Sequence, residues 1–149
     1  MPEEMKSVGL APEKYRRVGV AVDYTGLEQK VLSHAKTLAL HHDAELFVFH
    51  VVEGVSGQLY GGDAHDEEAR EDQERLEALA TELSAGGLRV TPMLGFGRVP
   101  REIVRLSKET GVDILVMGGH RHRGLKDIVL GTSISEVRHA LPIPVLIIQ

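Results

Sequence analysis

Residues 113–133 read DILVMGGHRHRGLKDIVLGTS and collect the groups in this chain best suited to hold an anion. His120, Arg121, His122 and Arg123 follow one another with no acidic residue among them. Gly118 and Gly119 come before them, and Gly131, Thr132 and Ser133 close the stretch. An amphipathic helix is expected from residue 134, where Ile134, Val137 and Leu141 recur at helical spacing. The N–H groups that open a helix lack partners and carry the positive end of its dipole. Glycine has no Cβ, so a phosphate can come close to its backbone.

Each of these residues also has an ordinary reading. Ser133, Ile134, Ser135 and Glu136 match a capping box, in which Ser133 only seals its own helix. The His-Arg-His-Arg run can be an exposed basic loop and nothing more. The residues by themselves leave both readings open. Other chemistries fit less well. No GxxxxGK[ST] is present, which excludes the usual P-loop. Gly95 and Gly97 start a dinucleotide-like pattern, but Pro100 stands where its third glycine belongs, so a turn is the better reading. His41, His42, His120 and His122 could suggest a metal, yet the last two sit among arginines that would repel a cation. Ser133, His120 and Asp23 are candidate parts of a hydrolytic triad, but a GxSxG elbow is absent. No catalytic residue and no metal ligand is therefore assigned.

The elements that must position this stretch can be read in order. Residues 1–14 carry Pro2, Gly9 and Pro12 without periodicity and read as a tail or linker. Residues 16–22, RRVGVAV, read as a strand, and a helix follows to about His41 with Leu27, Val31, Ala35 and Leu38 on one face. ELFVFHVV at 45–52 is a second strand. Residues 54–66 hold four glycines and read as a long loop, mobile or a lid. A helix at 67–83 has an acidic first half, which suits a solvated face. Residues 88–94 form a third strand, placed at a sheet edge because it contains Pro92. Pro100 opens a helix that Gly111 ends. Residues 113–117 are a fourth strand, and VLIIQ at 145–149 is the last.

Strands and helices alternate throughout. This predicts an α/β domain over 15–149: one doubly wound, five-stranded parallel sheet with helices on both faces. The expected strand order is 3-2-1-4-5. Ligands in such sheets bind beyond the carboxyl ends of the strands, where the order reverses. Asp23 would then face Gly118 across the crevice.

Composition narrows the function. The chain has 149 residues, no cysteine and a formal net charge of −5. No disulfide framework or thiolate chemistry is available. The negative balance argues against a general nucleic-acid binder. No apolar run approaches the roughly 20 residues that span a bilayer, and residues 1–15 lack the apolar centre of a signal peptide. A cytoplasmic protein without direct membrane insertion is expected.

Residues 15–149 resemble the universal stress protein family. Its signature, G-x2-G-x9-G-[ST], starts here at Gly118 and ends at Gly131 and Thr132 with nine residues, 122–130, before them. The VAVDYT start, the HVVE end of the second strand and the turn and helix at 97–103 agree with it. Arg121 replaces the second motif glycine, where it either blocks the loop or supplies a forked phosphate contact. The resemblance implies ATP or AMP as ligand, with or without Mg2+. It would place Asp23 by the adenosine and the Val51 backbone at the adenine edge. Met117 and Gly118 would line the ribose and phosphate floor, and His120, Arg121, Gly131, Thr132 and Ser133 would surround the phosphates. It implies a regulatory or stress-response module with little or no hydrolysis, and a homodimer through the C-terminal strand. The alternative is a nucleotide-silent dimerisation domain, such as the cytoplasmic part of a membrane transporter.

Overall fold

The computed structural model describes residues 14–23, 27–53, 63–119 and 126–149, with side chains described except at 63–66 and 126–132. The expected tail at 1–13 and most of the expected loop, 54–62, lie outside the described residues. The elements in chain order are β1 Arg17–Ala21, α1 Glu28–His42, β2 Glu45–Val52, α2 Asp63–Ser84 and β3 Val90–Phe96. They continue with α3 Val99–Thr110, β4 Ile114–Gly118, α4 Lys126–Ala140 and β5 Val145–Ile148. All strand pairs are parallel, in the order β3-β2-β1-β4-β5. This is the expected class and order. Pro92 does lie on an edge strand, beside Val48 of β2. An edge strand bonds on one side only, so a missing N–H is tolerated there.

Side-chain alternation sorts the core into two layers. Val18, Val20 and Val22 with Leu46 and Val48 face α1 and α2, where Val31, Leu32, Ala35, Leu76 and Leu83 meet them. Phe47, Phe49, Val51, Leu115 and Met117 face α3 and α4, where Ile103, Leu106 and Val137 meet them. Burying each of the larger of these side chains stabilises the fold by about 1.5–3 kcal/mol before ordering costs. Helix ends follow local chemistry. Pro100 sits in the first turn of α3, and Gly111 caps its end at φ 69°. Asp43 caps α1 in the same left-handed region, at φ 52°. At the foot of the sheet, the Arg16 and Arg17 amides donate to the Asp113 carboxylate at 2.9 and 3.2 Å, tying β1 to β4.

Two helices start earlier than their apolar periodicity indicates. α2 begins at Asp63, so the end of the expected loop is helical. Its first turn is polar and has no apolar period, but acidic residues there complement the dipole. α4 begins at Lys126, not at 134. The run Gly131, Thr132, Ser133 is thus inside a helix and does not open one. A lone glycine within a helix costs only about 1 kcal/mol relative to alanine. The packing of Ile134 and Val137 onto the sheet outweighs that.

Candidate functional site

β1 and β4 are neighbours at the centre of the sheet, and the chain leaves them toward opposite faces. α1 follows β1 onto one face, and α4 follows β4 onto the other. Their carboxyl ends therefore lie side by side where the strand order reverses, the usual ligand position in such folds. Val20 pairs with Val116, so the ladder carries Val22 to the level of Gly118. Asp23 comes one residue later and is exposed at the rim. Met117 is buried and packs on the α3 and α4 face with Ala21, Val51 and Ile134.

β2 extends beyond the end of β1. The Val22 amide donates to the Phe49 carbonyl at 2.9 Å, while the Val52 carbonyl accepts from Gly97 of the β3 side at 3.0 Å. Carbonyls alternate along a strand. The Val51 carbonyl therefore points to the β1 side, at the level of Asp23.

The two glycines at the end of β4 have packing reasons to be small. A Cβ on Gly118 would stand 3.1 Å from Leu27 Cδ2 and 3.2 Å from Val31 Cγ2 of the α1 segment. A Cβ on Gly119 would stand 2.8 Å from Ile147 Cγ2 of β5. The Gly119 amide donates to the Ile148 carbonyl at 2.7 Å, and Lys30 of α1 donates to the Gln149 backbone oxygen. Close approach at this strand end thus serves α1 and β5 as well as any ligand.

The remaining expected site residues divide. His120 and Arg121 lie outside the described residues. Gly131 and Thr132 lie in α4, and Ser133 follows them there, half-buried. The capping box does not form. Glu136 instead takes a two-pronged ion pair from Arg98, at 2.5 and 2.6 Å. That guanidinium holds the Glu136 carboxyl below the usual glutamate range, by its hydrogen bonds first and its charge second. Inside a helix the N–H groups of 131–133 bond to carbonyls one turn back. The N–H groups without an intrahelical partner are those of the first turn, from Lys126. Gly131, Thr132 and Ser133 therefore contribute no helix-opening amides.

Sequence reasoning missed three sets of polar contacts. His50, buried on β2, meets the Val22 carbonyl through Nδ1 at 2.9 Å and Asp72 of α2 through Nε2 at 3.3 Å. Its signal was a polar residue at a helix-facing position of an otherwise apolar strand. Arg98 with Glu136 is the second. The third is Glu102, whose Oε1 accepts from the Phe96 amide at 3.1 Å where β3 turns into α3. Arg105 donates to both Glu102 oxygens, at 2.8 and 3.0 Å.

The Arg105 bond is the main cause of a lowered Glu102 pKa; burial opposes it and the Phe96 amide assists. A carboxylate with a depressed folded pKa adds stability above its unfolded value, about 4.3 for glutamate. That contribution disappears as pH falls through the lowered folded value. Arg105 is half exposed, which limits the pair to about 1 kcal/mol or less. Urea titrations of wild type and Glu102→Gln should therefore differ at pH 7 and converge toward pH 3. A gap that persists in acid would assign the effect to packing.

The model of the universal stress protein family matches residues 14–149. The universal stress protein MJ0577 of Methanocaldococcus jannaschii is 24% identical over 154 residues, covering 91% of this chain and 95% of its own. Its solved structure superposes with a TM-score of 0.77 at 25% identity over 91% of this chain and 96% of that one. A universal stress protein in complex with cAMP has a TM-score of 0.70 at 20% identity, covering 92% and 99% of the two chains. One from Archaeoglobus fulgidus in complex with dAMP has a TM-score of 0.68 at 23% identity, covering 92% and 100%. The last two show the shared fold.

Proposed function

The chain belongs to the universal stress protein family, and from that premise we propose that it is an adenine-nucleotide-binding regulatory module. The observation that carries this reading is the reversal of strand order where β1 and β4 end side by side, with Asp23 exposed just past β1, Gly118 at the end of β4 and the Val51 carbonyl directed to the β1 side. Structural relatives that hold dAMP and cAMP support the ligand class. In this reading Asp23 lies beside the ribose and adenosine, and the Val51 backbone meets the adenine edge. His120 and Arg121 reach the phosphates, together with the hydroxyls of Thr132 and Ser133 and the backbone at Gly131. The ligand is ATP or AMP, and Mg2+ accompanies the triphosphate. Positioning donors without a general base give binding with little or no hydrolysis.

The module acts in a stress response, in the cytoplasm, as a homodimer. Among the described residues no helix is long and apolar enough to cross a membrane. β5 is an edge strand with Leu146 partly exposed, and such an edge favours pairing with a second copy.

The test is the nucleotide content of purified protein, read by chromatography after denaturation, followed by calorimetric titration with ATP and AMP. Co-purified nucleotide or micromolar binding is the expected result. No nucleotide and no heat with either would remove this reading and leave a docking domain whose loop Arg121 has closed.

A further inference from the structure

We propose that His50 is the positioning residue for the adenosine end of the site, holding Val22, just past the end of β1, from the neighbouring strand. The inference rests on the nucleotide reading for its ligand, but its geometry does not. β1 ends at Ala21, and beyond it two contacts hold Val22 from β2. One is its own amide bond to the Phe49 carbonyl at 2.9 Å; the other is the His50 Nδ1 contact to its carbonyl at 2.9 Å. Val22 directly precedes Asp23. The orientation of the peptide between them sets where the Asp23 carboxylate points.

The partners decide how the ring is used. A carbonyl oxygen only accepts, so Nδ1 carries a hydrogen and donates to Val22. The other nitrogen faces Asp72 at 3.3 Å, across from α2. That contact fixes the ring plane. His50 is 8% exposed, and the Asp72 side chain 16%, so water competes weakly for either bond. The chain of contacts runs from α2 through Asp72 and His50 to the backbone that presents Asp23. A residue that orients another group in this way acts through geometry.

Three variants separate positioning from simple packing. His50→Asn keeps a donor near the Nδ1 position and loses the reach to Asp72. His50→Leu keeps the bulk and loses the donor. Asp72→Asn keeps the shape of the second partner without its charge. Amide hydrogen exchange at Val22 and Asp23 reads the strand end without any ligand, and calorimetry with AMP reads the site. His50→Leu should exchange faster at these two amides and bind AMP about tenfold more weakly, the worth of one buried hydrogen bond. His50→Asn should restore most of both, and Asp72→Asn should fall between them. Proton-detected nitrogen spectra of the wild type should show a hydrogen on His50 Nδ1.

Unchanged exchange at Val22 and Asp23 in a folded His50→Leu protein would overturn the proposal. So would a bare Nδ1. Equal losses in His50→Asn and His50→Leu would reduce His50 to packing. If wild type binds no AMP while the exchange pattern holds, the nucleotide reading fails and the clamp on β1 stands.

Discussion

Gly118→Asp should abolish binding of ATP and AMP while the protein remains folded. The position leaves little room: a Cβ there comes within 3.1 and 3.2 Å of Leu27 and Val31 methyl groups. Leu27 Cδ2 is the end of a partly buried side chain and the Val31 contact is only slightly short, so Gly118→Ala should require shifts of a few tenths of an ångström and keep most of the affinity. Aspartate adds a negative charge beside the ribose and phosphate floor. Like charges brought together on binding cost several kcal/mol, at least about 100-fold in affinity. Calorimetric titration of both variants, with thermal unfolding as the control for folding, checks this. A folded Gly118→Asp protein that binds as tightly as wild type would move the site away from the end of β4.

Phe49→Ala should cost the largest share of stability of any single truncation in the core, about 3–5 kcal/mol. Phe49 is fully buried at the middle of β2. Its ring lies over Gly19 of β1, where a Cβ would stand 3.1 Å from Cε2. It packs in one cluster with Ile103, Leu106 and Leu115, so its loss empties a space lined by α3 and two strands. Domains of this size are stable by about 5–15 kcal/mol in all. Urea unfolding should show a much lower midpoint at unchanged slope, which marks a change in stability alone. Leu40→Ala is the control, since Leu40 is 50% exposed and should change little. A Phe49→Ala cost below about 1 kcal/mol would mean that the two layers repack around the gap.

The contrast between these positions and Ser133 shows what kind of information a linear chain carries. Ser133 and Glu136 fit a local capping pattern, yet Glu136 is taken by Arg98, 38 residues away in sequence. His50 and Asp72 are 22 residues apart, and only the docking of α2 against β2 joins them. The packing duties of Gly118 and Gly119 likewise appear once α1 and β5 lie against the end of β4.

From its sequence alone this chain determines its alternation of strands and helices, the two apolar layers and the edge position of β3. These depend on periodicity and on single residues such as Pro92 and Gly111, whose effects are local. The motif spacing from Gly118 to Thr132 is equally local and names the family. The true start of α4, the partner of Glu136 and the clamp on Val22 were decided by tertiary structure. Each depends on which surfaces meet across the sheet, and side-chain packing there outweighs propensities worth about 1 kcal/mol.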